Sequence, residues 1–341
     1  MTNIYGKTIE QLEEYFTNMG LKKFRARQIY DWLYKKRVLS FDEMANVKKD
    51  LREQLKKDYS MEQLTILDKQ EGVDVVKYLL ELKDHNKIEA VLMKHDYGNS
   101  LCVSSQVGCN MGCSFCESGR LKKVRNLSSE EMVLQVLLIE QDLKIRITHV
   151  VLMGIGEPFD NYEQVMNFID IINSPYGIAL GSRHITVSTC GIIPKIKDFM
   201  HHGKQVNIAI SLHASNDALR QQLMPIDKAY PLSELIPVMK EYIKVTNRRV
   251  TFEYILLRDI NDHIKEADEL VHLLKGMNCT INLIPYNETS HIKYKRSTEK
   301  QISAFFDYLK QHKMNTTIRR EFGSTVSAAC GQLRSNYEEE N

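Results

Sequence analysis

Apolar positions along the chain change period twice, and each period predicts a different kind of structure. Over residues 8–18 they fall at Ile9, Leu12, Tyr15 and Phe16, the spacing of one helical face. The same period returns after Gly20 at Phe24, Ile29, Trp32, Leu33 and Tyr34, and between Phe41 and Tyr59 at Met44, Val47, Leu51 and Leu55. A helical accessory domain is predicted over residues 1–60, with Trp32 in its core. Its apolar surface is too small for it to stand alone, so it docks on the remainder of the chain. Residues 61–98 read as a β-rich connector, in which Val73–Leu82 and Ile88–Met93 flank the hairpin connection Asp84-His85-Asn86. Leu101–Val103 then leads into a loop of cysteines. Beyond it, Ser128 and Glu131 form a capping box that opens a helix to about Leu143. Strands at 147–153, 184–189, 206–212, 250–256, 279–284 and 316–320 alternate with helices at 161–173, 193–201, 232–246, 263–276 and 298–312. Apolar strands separated by helices build a parallel sheet with helices outside. The fold class is therefore α/β, a partial or closed βα barrel over 99–341.

In such a barrel, chemistry collects where the strands end. Four polar clusters fall there: Gly154-Ile155-Gly156-Glu157-Pro158, Ser188-Thr189-Cys190-Gly191, Ser211-Leu212-His213, and Asn282 to Asn287. Each has a plain structural reading as a turn or a satisfied core side chain. Together, on one edge beside the cysteines, they supply the donors and acceptors that a polar cofactor needs.

The cysteines are the densest chemistry in the chain. Cys109, Cys113 and Cys116 have the spacing C-x3-C-x2-C, and no fourth cysteine follows nearby. Structural zinc sites and common ferredoxin runs close with four ligands, so three suggest a cluster with one iron left open. A zinc completed by a distant histidine, or three buried thiols, are the blander readings. Seven cysteines, three of them clustered, read as cytosolic metal and thiol chemistry rather than a disulfide framework. The N-terminus has no apolar core of a secretory signal, and no run approaches the ~20 apolar residues of a membrane helix. Net charge is only +2. Residues 1–60 nevertheless carry 13 Lys/Arg against 9 Asp/Glu, much of the excess in 22–27 and 35–37, a face that could track phosphates.

The cysteine spacing resembles that of the radical S-adenosylmethionine (SAM) superfamily. With Gly154-Ile-Gly-Glu-Pro158, Ser211-Leu-His213, Arg248 to Tyr254 and Ala328-Ala-Cys330-Gly-Gln-Leu333, the chain resembles the RlmN/Cfr family of radical SAM ribosomal RNA adenine methyltransferases over almost its whole length. Gly-Ile-Gly-Glu-Pro-Phe-Asp and Asn282-Leu-Ile-Pro285 look more like the C2-methylating RlmN branch than the C8-methylating Cfr branch. The loop from Glu117 to Lys123 and the stretch Ser324 to Ser327 depart from the family pattern. The resemblance implies a [4Fe-4S] cluster on Cys109, Cys113 and Cys116, and SAM held by Gly156, Glu157, Ser188, Ser211, Leu212, His213 and Asn287. It implies Cys330 as methyl-carrying cysteine, Cys102 as the thiol that resolves the RNA adduct, and Glu89 as proton acceptor. Cys190 and Cys279 match no family role and are expected to be buried in strands.

The implied activity is methylation at C2 of a peptidyl-transferase-centre adenosine of 23S ribosomal RNA, with transfer RNA open as a second substrate. C8 methylation of the same base, or a non-catalytic iron–sulfur RNA-binding protein, are the alternatives. The expected partners are RNA, gripped by the N-terminal helices and by Arg120 to Arg125, and a one-electron donor such as flavodoxin or ferredoxin. A cytoplasmic monomer without membrane attachment is expected.

Overall fold

The computed structural model describes residues 1–120, 122–289 and 291–319, so Cys330 and its motif lie outside the described residues. Ten strands form one sheet: β1 (Thr65–Glu71), β2 (Val75–Glu81), β3 (Lys87–His95), β4 (Gly98–Cys102), β5 (His149–Leu152), β6 (Ile185–Thr189), β7 (Asn207–Ser211), β8 (Val250–Leu256), β9 (Cys279–Pro285) and β10 (Thr316–Ile318). Their order in the sheet is their order in the chain. From β4 to β10 all neighbours are parallel, whereas β1 to β4 are joined antiparallel. The sheet is open: β1 and β10 are its two edges among the described residues. The side of β4 that could have closed onto β10 is already hydrogen-bonded to β3, which decides between the partial and the closed barrel. The strands between 65 and 95 thus extend the barrel sheet itself.

Helices α1 (Ile9–Asn18), α2 (Phe24–Tyr30) and α3 (Lys49–Asp58) build the N-terminal unit, and α4 (Ser129–Leu143), α5 (Tyr162–Asn173), α6 (Ile193–Met200), α7 (Asp217–Leu223), α8 (Leu232–Thr246), α9 (Ile264–Leu273) and α10 (Glu299–Gln311) belong to the barrel. The capping box before α4 is formed, Ser128 N–H donating to Glu131 Oε2 at 2.9 Å. One apolar core runs from Ile4, Leu12, Phe16 and Tyr34 into α4 and α5. The N-terminal helices are tied down by polar contacts as well. Arg37 pairs with the buried Glu140 of α4, Ser129 Oγ donates to Gly6 O at 3.1 Å, and Arg27 lies 4.4 Å from the Tyr176 ring. Trp32 departs from expectation: it is half-buried at the rim of the core, because its ring N–H bonds Asn46 at 2.6 Å and its face carries Lys36 at 3.5 Å.

Candidate cluster and cofactor site

The cysteine loop folds back on itself just beyond β4. Cys116 N–H donates to Cys113 O at 3.2 Å and Gly119 N–H to Cys116 O at 3.0 Å. A Cβ at Gly119 would stand 2.9 Å from the Cys113 carbonyl, so the turn demands glycine. Ser114 anchors the loop outward, its N–H on Leu223 O at 2.9 Å and its hydroxyl 2.9 Å from that of Tyr294. Phe115 meets the His213 ring edge-to-face at 5.0 Å. Around this loop a cavity of about 320 Å³ opens at the C-terminal ends of the strands.

Ten of the residues expected from sequence share its wall: Cys102, Cys109, Cys113, Cys116, Gly156, Glu157, Ser188, Ser211, His213 and Asn287. Leu212 is fully buried behind it, its N–H on Glu253 O at 3.0 Å. Glu89 is 3% exposed and pairs with Lys77, which does line the cavity.

The thiols can be tested against the group they would hold. Burial pushes the Cys109 thiol up to about 12 and Cys113 well above its ordinary value, each raised further by the Cys116 sulfur. Three thiolates at such a spot need a cationic partner. Three thiols on one short loop, facing a cavity whose wall also carries the buried Glu157, form a donor set for a metal cluster. Ser118, 3% exposed and on the cavity wall, has a hydroxyl with no hydrogen-bond partner among the described residues, as expected where a bound group completes the site. The residues fit an iron–sulfur cluster. Cys113→Ala is expected to lower iron and sulfide to near background per chain, read by metal analysis and visible absorbance.

The rest of the wall suits a zwitterionic cofactor. Glu157 is buried, and its carboxylate accepts N–H groups from Phe159 at 3.0 Å and Cys190 at 2.8 Å. Burial raises its pKa, while the hydrogen bonds of Thr189 and Cys190 oppose the rise; a ligand ammonium would oppose it too. Gly156 has φ of 110°, and a Cβ there would lie 2.6 Å from Gln106 Cβ. Gln106 in turn accepts the Glu157 N–H at 2.9 Å. His213, at φ 58°, takes the Ile255 N–H on Nδ1 at 3.0 Å, so its ring proton sits on Nε2.

Burial lowers the His213 pKa to about 3, with the Arg220 charge adding to the fall. The unfolded chain therefore takes up a proton below about pH 6.5 that the folded chain refuses, costing up to ~1.4 kcal/mol per pH unit down to the folded value. Urea midpoints of the native chain should fall more steeply between pH 6.5 and 4 than those of His213→Gln, with no such difference above pH 7.

Three features escaped the sequence reading. Arg220 is wholly buried on α7, pairs with Asp227 at 2.8 Å, and donates to the carbonyls of Cys190, Ser211 and Leu212. It ties together the ends of β6 and β7, and a lone arginine in a seven-residue helix gives no signal of that. Cys190 is buried as expected, yet it sits just past β6 and lines the cavity. The ion pairs of Arg120, Lys123 and Arg125 are the third. Arg120 pairs with Glu117, Lys123 with Asp160, and Arg125 with both Glu131 and Asp84.

Known proteins resemble the chain along its whole length. Residues 2–61 match the ribosomal RNA large subunit methyltransferase N-terminal domain, and residues 103–271 the radical SAM superfamily. The chain is 51% identical to a protein of Spiroplasma citri over 99% of both chains, and 50% identical to one of Acholeplasma laidlawii over 97% of this chain and 98% of that one. Both are named "probable dual-specificity RNA methyltransferase RlmN". The chain belongs to the RlmN family of radical SAM RNA methyltransferases. The crystal structure of a radical SAM methyltransferase from Sphaerobacter thermophilus superposes with a TM-score of 0.92 at 38% identity, covering 97% of this chain and 99% of that one. Membership brings a [4Fe-4S] cluster and SAM as cofactors and RNA as substrate, in agreement with the sequence expectation. No helix among the described residues is long and apolar enough to cross a membrane.

Proposed function

We propose that this RlmN-family enzyme methylates C2 of an adenosine in the peptidyl-transferase centre of 23S ribosomal RNA, and an adenosine of transfer RNA, through a methyl group carried on Cys330. The observation that carries the thiol route is Cys102, a buried thiol on the wall of the same cavity as Cys109, Cys113 and Cys116. A cluster complete with three cysteines has no use for a further thiol there.

C2 of adenine is electron-poor and has no nucleophilic character, so polar transfer from SAM cannot reach it. When bound, the cluster and SAM supply one electron and a carbon-centred radical. The chain's own residues do the rest. Glu157 and Gly156 hold the SAM ammonium, while Ser188, Ser211, Leu212, His213 and Asn287 seat the remainder. The Cys330 thiolate would take its methyl group from one SAM by nucleophilic substitution, with the SAM sulfur leaving as a neutral thioether. After the carbon is joined to the base, Cys102 attacks the Cys330 sulfur and breaks its bond to that carbon, which keeps the electron pair and takes a proton to become the methyl group; the disulfide formed is later reduced by an external thiol. Glu89 takes the proton from the ring carbon.

The target base must leave its stack to reach this cavity. The N-terminal face with exposed Lys22, Lys23, Phe24, Lys35 and Lys36 grips the RNA. A flavodoxin or ferredoxin would serve as electron donor to a monomer in the cytoplasm.

The test is nucleoside mass spectrometry after incubating anaerobically reconstituted protein with unmodified 23S RNA, SAM and a reductant. The expected product is 2-methyladenosine, absent with Cys330→Ala. Formation of 8-methyladenosine would place the enzyme with the C8-methylating branch, and methylation by Cys330→Ala would overturn the carrier role.

A further inference from the structure

The cavity has one wall made of antiparallel strands, and that wall holds a buried ion pair. Lys77 on β2 and Glu89 on β3 approach to 3.1 Å, with side chains 1% and 3% exposed. Lys77 stands opposite Val91, and Val91 opposite Cys102, so the three form one row across β2, β3 and β4. All three line the cavity. Glu89 precedes Val91 by two residues and therefore shares its face of the sheet. Lys77 thus shares a row with the Cys102 thiol, and the Glu89 carboxylate is held directly against the Lys77 ammonium on the same face.

Such a pair is a poor stabilising device. Replacing both charges with apolar side chains of similar volume is often neutral or better, while a lone charge left in their place is strongly unfavourable. Among the described residues, neighbouring positions on the same face carry the apolar Val75, Val91 and Met93. Its position on the same cavity-facing row as Cys102 gives it a use.

We propose that Lys77 is the positioning residue for Glu89, holding its carboxylate aimed at the substrate carbon during the step that releases the methylated base. The inference rests on Glu89 being the proton acceptor. In that step the carbon–hydrogen bond of the ring breaks and a proton moves to a Glu89 oxygen. The C–H electron pair stays with the ring, and the unpaired electron of the adduct would return to the cluster. Attack of Cys102 on the Cys330 sulfur then breaks its bond to the methylene carbon, which keeps that bond's electron pair and takes the Cys102 proton to become the methyl group. Lys77 neither gains nor loses a proton in it. Its charge supplies what water would supply outside the cavity, and its hydrogen bond fixes which carboxylate oxygen is turned to the base.

The experiment uses the full chain, anaerobically reconstituted, with unmodified 23S RNA, SAM and a chemical reductant. It reads 5′-deoxyadenosine, covalent protein–RNA adduct on a denaturing gel, and methylated adenosine. Lys77→Met should keep 5′-deoxyadenosine within about twofold, lower methylated adenosine at least about tenfold, and accumulate adduct as Glu89→Gln does. Lys77→Arg, which keeps a cation beside the carboxylate, should recover most of the product. If Lys77→Met reconstitutes less cluster per chain than the native protein, Lys77→Gln, which keeps a hydrogen-bond donor, takes its place in the same assay. Native levels of product from Lys77→Met beside an inactive Glu89→Gln overturn the inference and leave the Glu89 role standing. Native levels of product from Glu89→Gln overturn the Glu89 role, and the inference with it. A parallel loss of 5′-deoxyadenosine and product without adduct shows a merely structural pair and also overturns it.

Discussion

Arg220→Ala is expected to lower the free energy of unfolding by about 3–5 kcal/mol, the cost of leaving one partner of a buried ion pair alone. Both side chains, Arg220 and Asp227, are 0% exposed. The guanidinium also satisfies the Cys190 carbonyl at 2.7 Å, the Leu212 carbonyl at 3.2 Å and the Ser211 carbonyl at 3.3 Å. Alanine strands all of these and opens a void. Burial already raises the Asp227 pKa, with Arg220 opposing the rise. Without Arg220 the acid should titrate higher still. Protonation then removes the buried charge, so the deficit should shrink as pH falls from 7 towards 5. Urea unfolding at pH 7 and 5 checks both magnitude and sign. The double substitution Arg220→Met/Asp227→Leu should recover most of the loss, since it leaves no charge behind. Because Arg220 holds the strand ends that carry Ser211 and His213, the single variant should also bind SAM more weakly by calorimetry.

Gly156→Ala should be nearly as damaging, through geometry instead of charge. Two costs meet at this residue. Its φ of 110° is a conformation side chains resist, and a Cβ would lie 2.6 Å from Gln106 Cβ and 2.8 Å from Gln106 N. Strained backbone of this kind costs about 1–3 kcal/mol by itself. Gln106 cannot retreat cheaply, because its side chain holds the Glu157 N–H at 2.9 Å, Asn126 Oδ1 at 2.8 Å and Asp160 Oδ2 at 2.9 Å. The strain should therefore pass to Glu157 and raise the Kd for SAM at least about tenfold, a ~1.4 kcal/mol effect. Gly276→Ala is the control: its φ is 76°, with nothing within 4 Å of the added Cβ. It should show a stability loss without the change in SAM binding. Equal SAM affinity in Gly156→Ala and the native chain would sink the assignment of this turn to the cofactor.

The sequence by itself determined what depends on a residue and its near neighbours. Helical periods, strand alternation and the Ser128–Glu131 cap are local, and the main barrel strands and helices stand within a few residues of where they were expected. The C-x3-C-x2-C spacing places three thiols on one short loop whatever the surrounding fold. The polar clusters at strand ends were legible because a parallel sheet sends every strand's C-terminal end to the same edge. Only the tertiary structure decided pairings between distant segments. The sheet is open because β3 occupies the side of β4 that closure would need. Arg125 is held by Asp84, 41 residues away in sequence, a pairing its charge pattern did not show. Arg220 and Lys77 acquire their surroundings from strands and loops that no local period connects. Electrostatic partners are set by register and burial, which arise when elements pack, and sequence spacing carries no record of either.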